Sequence, residues 1–275
     1  MKYLFFLSVV FYMLSSIGYV TYFIFQKNWL QRSGFGLILI GFLCHTALIV
    51  IPFLQTGHFP VRNLRETLLI AGWAVSAVFF IFQYRFKLKI LGLYAAPLIA
   101  LVMLAVSQVP SHPTQAQQIF KSFWLIAHVV TIFIGDAAFA IACGLAILYL
   151  IQENAIKNKK TGFFFKRLPS LETLDSAGYV SLVTGFTMLT LGLITGFIYA
   201  KSVWGHFWSW DPKEVWAGVT WLFYAALLHE RLTVGWRGRR AAIMAIAGFA
   251  VLLFTFLGVN LFLEGHHGQF TNLPS

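Results

Sequence analysis

Residues 119–151 read IFKSFWLIAHVVTIFIGDAAFAIACGLAILYLI, thirty-three positions broken by one lysine, one histidine and one aspartate. Water has almost nothing to solvate along such a run. Inside a bilayer the backbone N–H and C=O groups find no partners except one another, so a long apolar run is driven into a helix. About 20 residues cross a hydrocarbon core ~30 Å thick. This run is longer, so it tilts or projects beyond the headgroups.

Working outward, comparable apolar runs recur at roughly 3–25, 33–54, 67–84, 88–107, 176–200, 212–231 and 240–263. With 119–151 they make about eight transmembrane helices, so the expected fold is an all-α polytopic membrane protein with residues 1–275 as one domain. The composition agrees. Apolar residues are 59% of the chain and charged residues 11%, against about half and a quarter in soluble domains. The first run has the length of a full span and no small-x-small cleavage site, and it reads as a retained helix. No repeat of fixed period appears.

Lys and Arg orient the array. The loops after the first, third, fifth and seventh runs carry fourteen of the twenty basic residues, from Lys27 and Arg32 to Arg237, Arg239 and Arg240. The positive-inside bias assigns these loops to the cytoplasm. Both termini and the loop before residue 212 then face outward. The net charge of +11 follows from this topology; no basic, aromatic surface suited to nucleic acid is present. The basic connection at 152–175 reads as a solvated loop, with anionic lipid headgroups as its alternative partner. Cys44 and Cys143 each fall inside a span and form no CxxC, which argues against thiol–disulfide chemistry. Gly192 and Gly196, four residues apart in the sixth run, read as helix packing.

The chemistry concentrates at WGHFWSWDPKEVWAGVTW, Trp204–Trp221, with five tryptophans in eighteen residues. Asp211 is a good N-cap, Pro212 suits the first helical position, and Glu214 completes a capping box. The seventh helix is expected to start at Pro212. Trp204, Trp208 and Trp210 then lie in the loop, and Trp216 and Trp221 on the helix. An interfacial aromatic belt is the plain reading, but a belt places one or two indoles per helix end. A dense indole surface with histidines nearby suits a flat, partly polar aromatic cofactor, and haem is the foremost candidate.

Histidines divide by depth. His128 is about nine residues into the fifth run, some 14 Å from its outer end. It is either a packed helix histidine or a ligand. His266 and His267 follow the eighth run on the same outer face, so His128, the Trp-rich loop and one of this pair can converge on an external site. His229 lies about 25 Å down the seventh helix, near the inner edge. It marks a second site or is an interfacial histidine beside Glu230 and Arg231. His45 reads as a satisfied core histidine, and His58 and His112 as loop residues. His206 sits within the motif but is a weak axial candidate. Asp136, about 12 Å below His128, needs a partner or a proton in lipid, as a helix–helix contact or in a haem-related role.

These residues resemble a known family. WGHFWSWDPKEVWAGVTW is similar to the tryptophan-rich WWD signature of the haem-handling proteins of cytochrome c maturation. WLFYAALLHER, GWRGRRAA, GFAVLLFTFLGVN and LEGHHGQF continue the match, and GHFPVRNLRETLLIAGW resembles the CcsA/ResC branch. The resemblance implies that the chain moves haem b across a membrane and presents it outside for thioether attachment to apocytochrome c carrying CXXCH, as a component of a holocytochrome c synthase. It implies His128 and His267 as axial ligands of an outer haem, with Trp204, Trp208, Trp210, Asp211, Trp216 and Trp221 around it. It implies His229 as ligand of an inner haem whose second ligand comes from a CcsB/ResB-type partner. The implied setting is a bacterial cytoplasmic membrane or a thylakoid membrane. Arg62 and Arg65 would meet haem propionates or anchor a helix end. The sequence departs from the family at Gly265–Gln269, where GLHSY is usual, and at Asp136, where tyrosine is common. The competing readings are a b-type cytochrome or haem-dependent regulator that attaches nothing, and a transporter built on Asp136 and His45.

Overall fold

A computed structural model describes residues 1–110, 122–159, 162–163 and 165–263. His112, His266 and His267 lie outside the described residues. The described chain is helical: α1 (Lys2–Phe25), α2 (Asn28–Thr56), α3 (Leu64–Phe86), α4 (Leu91–Gln108), α5 (Phe123–Lys157), α6 (Leu171–Trp204), α7 (Pro212–Thr233) and α8 (Arg239–Leu253). A π-helical turn, Phe254–Gly258, extends α8 into a last turn, Val259–Phe262. Seven of the eight helices are long and apolar enough to cross a membrane, α8 together with its π turn among them. The eighth, α7, has charges at its ends (Lys213, Glu214, Glu230, Arg231), but its 22 residues still extend about 33 Å, and α6 and α8 flank it.

Local chemistry explains where the helices begin. The Asn63 side chain accepts the Glu66 amide hydrogen at the start of α3, and Ser170 accepts that of Thr173 at the start of α6. Stops fall where the backbone turns left-handed, at Gln26, Gly57, Lys87 and Gly205. α5 is 35 residues long and α6 is 34. The excess length expected of the fifth run is found. The sixth helix exceeds its expected span, 176–200, at both ends, because Ser170 caps it early and no breaker occurs before Gly205.

α5 is the axis of the bundle. It packs against α3 and α4 on one side and against α6 and α8 on the other. Small residues permit this. Ala137, Ala138, Ala140, Ala142 and Ala146 are buried along α5. A side chain on Gly135 would meet the backbone of Gly185 and Leu189 at 3.1 Å. Dispersion between closely approached helices replaces the hydrophobic drive that lipid cannot supply. One buried cluster runs through α1–α5 and the start of α6, and a second through α5–α8, where the rings of Phe139 and Tyr224 stack 3.5 Å apart.

The polar groups inside the bundle are mostly paired. His45 is fully buried, with Nδ1 3.3 Å from the Tyr12 hydroxyl, which is 3.2 Å from Ser76 Oγ. Its Nε2 is buried without a partner among the described residues. Arg65 donates to the carbonyls of Val106 and Val109, capping α4, and Arg62 pairs with Glu66 at 2.8 Å. Both arginines therefore anchor helix ends. Cys44 and Cys143 are free.

Candidate functional site

Four elements meet at one end of the bundle: the start of α5, the end of α6, the start of α7 and the π turn after α8. Gly205, with φ 81°, ends α6 and turns the chain back toward the bundle. The Trp208 indole then folds against Phe197 of α6, ring centroids 5.8 Å apart. Phe197 is seven residues before the helix end, so the loop descends about 10 Å along α6. Gly218 on α7 lies beside it; a Cβ there would meet Trp208 at 3.9 Å, an ordinary contact. Trp208 is thus half-buried between α6 and α7.

His128 meets the same stretch of α6. Its Nδ1 lies 2.7 Å from the Gly192 carbonyl oxygen. A carbonyl only accepts, so Nδ1 carries the hydrogen, and in the neutral ring Nε2 carries the lone pair. Gly196 faces the imidazole, and Phe197, which holds Trp208, is the next residue. The fold therefore brings His128 and Trp208 to one level of one helix. The first turn of α7 is level with them. Lys213 precedes Tyr224 by as many residues as His128 precedes Phe139, whose ring is stacked on Tyr224. Lys213 and Asp136 lie close enough for each to feel the other's charge, and Asp211 acts on Lys213 as well.

The other indoles disperse. Trp204 is the last residue of α6, edge-on to Tyr199. It was expected in the loop, and the length of α6 moves it onto the helix. Trp210 presents its ring edge to Trp208 but is 78% exposed. Its φ of 61° is unusual for a bulky residue. Trp216 packs on Phe254 of the π turn at 4.6 Å. Trp221 donates from Nε1 to Thr190 and lies over Phe186, below the level of Trp208. The five indoles form no continuous wall. Trp216 and Trp221 point to different helices because five residues rotate a helix position by about 140°.

The cap of α7 forms with one change of partner. Asp211 accepts the Lys213 amide hydrogen at 2.8 Å. Glu214 reaches back past the cap residue. Its carboxylate accepts both the amide and the hydroxyl of Ser209, at 2.8 and 3.0 Å. The loop is held two residues further back than a capping box would hold it, which fixes the left-handed Trp210 between two anchored neighbours.

His229 is at the opposite end of the bundle and exposed. It sits beside a clamp. Arg231 donates to both Asp175 carboxylate oxygens, at 3.0 and 2.6 Å, and lies over the Tyr179 ring. The Gly238 amide donates to the same carboxylate at 3.1 Å. α6, α7 and α8 are therefore tied together beside the end of α7 that carries His229. The Phe139–Tyr224 stack relates α5 to α7 in height. It separates His128 from His229 by about 24 Å along the bundle, too far for one porphyrin. Among the described residues, no three His, Cys, Asp or Glu side chains converge as a metal site.

Sequence reading missed the link between the glycine pair and His128, the Ser209–Glu214 contact and the π turn. The first had a signal: two glycines four apart, in a helix expected to neighbour the one bearing the histidine.

A family model described as cytochrome C assembly protein matches residues 39–267. A cytochrome c biogenesis protein CcsA from Synechocystis sp. is 32% identical over 310 aligned residues, covering 93% of each chain. The CcsA of Chlorella vulgaris is 34% identical over 269 residues, covering 86% of this chain and 84% of its own. That of Chlamydomonas reinhardtii is 39% identical over 227 residues, covering 80% and 63%. Among solved structures, a chain titled cytochrome c heme lyase CcmF matches with TM-score 0.67 at 16% identity, over 98% of this chain and 48% of that one. That likeness is one of fold, and this chain spans about half of the larger one.

Proposed function

Because this chain belongs to the cytochrome c assembly protein family, among the CcsA proteins, and serves cytochrome c biogenesis as a multi-pass membrane protein, we propose that it carries haem b to the Trp-rich end of its bundle and presents it there to an apocytochrome c. One observation carries this reading. An imidazole with its proton fixed on Nδ1 and an inward-folded indole share one level of α6. The donor and the apolar face match what an iron porphyrin requires.

In this reading His128 Nε2 ligates the iron and His267, beyond the described residues, supplies the opposite imidazole. Trp208 covers the ring plane from α6, and Trp210 reaches from the loop surface toward the incoming protein. Trp204, Asp211 and Trp216 brace the loop and the helix ends around the site, and Trp221, deeper on α7, ties that helix to α6. Bound haem supplies two vinyl groups, to each of which a CXXCH thiol adds: the S–H bond breaks, a C–S bond forms, and the proton ends on the terminal vinyl carbon. The chain's part is proximity. It holds the ring still while the apocytochrome histidine displaces one of its own imidazoles.

His229 belongs to a separate, inner haem. It is exposed, and its helix end is braced by the Asp175 clamp, so a CcsB/ResB-type membrane partner can supply the second ligand. The fourteen-to-six distribution of Lys and Arg supports both termini and the Trp-rich end being extracytoplasmic. The membrane is a bacterial cytoplasmic membrane, with the thylakoid membrane as a second reading that the cyanobacterial and algal relatives support.

Deleting the gene and staining for covalent haem tests the whole reading: c-type cytochromes disappear. Undiminished staining, with haem retained by the purified protein, would point instead to a b-type cytochrome or regulator. Absorption spectra of His128→Ala and His267→Ala test the outer ligands, and unchanged haem in both rejects them.

A further inference from the structure

We infer that Gly192 and Gly196 of α6 are the positioning residues of His128, holding the imidazole in the one tautomer and orientation that can ligate an outer haem; this rests on the haem reading above.

The Gly192 carbonyl receives the Nδ1 hydrogen at 2.7 Å, the short end of the N–H···O range. That bond chooses the tautomer and raises the basicity of Nε2, as carbonyl and carboxylate partners do for ligating histidines generally. Gly196 supplies the space. A Cβ there would lie 2.7 Å from Nδ1 and 2.8 Å from Cε1 of the ring, closer than real Cβ atoms come. At Gly192 a Cβ would instead meet Ile132, its Cδ1 at 2.5 Å, Cγ1 at 2.7 Å and backbone nitrogen at 3.3 Å; the side chain can rotate, and the backbone contact asks for a shift of a few tenths of an ångström. The two glycines are one turn apart and face the same helix. Gly192 meets the imidazole through its carbonyl, and only at Gly196 would an added Cβ strike the ring.

The helices cannot simply separate to relieve a clash at Gly196. Gly135 lies against the Gly185 and Leu189 backbone, and a Cβ on Gly185 would come within 2.7 Å of the Phe139 ring. α5 and α6 are thus in close contact along about three turns beyond the histidine. The imidazole, on a rotatable side chain, gives way first. When it turns it loses the Gly192 carbonyl.

The test compares Gly196→Ala and Gly192→Ala in the full-length protein purified with its haem. The spectral component that His128→Ala abolishes defines the outer site. Gly192→Ala is expected to keep that component. Gly196→Ala is expected to lose it, with outer-site haem affinity falling tenfold to a hundredfold, the usual effect of removing a partner that orients a ligand. Added imidazole is expected to restore a six-coordinate spectrum to Gly196→Ala. Equal loss in both glycine variants, loss in neither, or failure of imidazole to restore the spectrum overturns the inference. If Gly196→Ala does not accumulate in the membrane, resonance Raman of ferrous His267→Ala, in which His128 is left as the outer haem's ligand from this chain, decides. The iron–histidine stretch is expected where a hydrogen-bonded imidazole places it, and a stretch typical of an unbonded imidazole overturns the inference. An unchanged spectrum in His128→Ala overturns the parent reading as well, and is recognisable because it does not involve the glycines.

Discussion

Glu214 holds the Trp-rich loop in place, and removing it should be measurable at a single amide. Its carboxylate accepts the Ser209 amide at 2.8 Å and the Ser209 hydroxyl at 3.0 Å, both partly buried. A hydrogen bond to a charged group contributes about 1.5–3 kcal/mol net. The next residue, Trp210, has φ 61°, and such conformations cost about 1–3 kcal/mol unless the surroundings enforce them. Glu214→Ala removes the enforcement, so the loop opens and Trp210 relaxes. Opening easier by about 1.5–3 kcal/mol corresponds to roughly 10- to 150-fold faster exchange of the Ser209 amide hydrogen. Glu214→Gln keeps a carbonyl acceptor but loses the charge, which about halves the strength, so a rise of about 3- to 10-fold is expected. Hydrogen exchange by mass spectrometry, on peptides spanning 205–211, reads both. Unchanged exchange in Glu214→Ala would refute the preformed loop and with it the role of this contact.

Three further outcomes are expected. Arg231→Ala breaks the clamp on Asp175, whose partner Arg231 is only 7% exposed; it should cost about 2–4 kcal/mol in detergent melts, below the fully buried case because Asp175 is partly solvated, whereas Arg62→Ala, removing an arginine that is 23% exposed, should cost less, about 1–2 kcal/mol. Trp221→Phe deletes the donor to Thr190 and should lower stability by about 1 kcal/mol while leaving haem content unchanged, since this indole lies below the level of Trp208; haem loss measured by pyridine haemochrome would contradict that placement. His45→Leu removes a ring whose Nε2 has no partner among the described residues, and Tyr12 keeps Ser76; stability should stay within about 1 kcal/mol and covalent cytochrome c should persist, so a defect in attachment would restore His45 as a functional residue.

The legible part of this fold was the part lipid dictates. Each apolar run became a helix near its expected position, and the cap of α7 falls at Asp211–Pro212, because a side-chain acceptor and a proline act within one turn. Depth was legible too, since rise per residue is constant. His128 and His229 could be assigned to different ends before any contact was known. Direction around a helix was less legible. Each residue rotates the face by about 100°, so where an indole points depends on which neighbour the helix meets. Trp216 went to the π turn and Trp221 to α6. The extent of α6, which absorbed Trp204, depended on the absence of a breaker rather than the presence of a signal. Glu214 turned to Ser209, whose amide and hydroxyl both donate to its carboxylate, a loop partner that the helix-start pattern does not name.

Composition and periodic length alone settled that this chain is a bundle of membrane helices with a Trp-rich loop leading into α7, because an unsatisfied backbone in hydrocarbon costs several kcal/mol per group. Only the packed bundle decided that a bare Cα on α6 faces the ring of His128 and that a carbonyl one turn away takes its proton. Contacts of that kind join residues 64 positions apart. They arise from how two helices interlock, which no property of either helix taken singly contains.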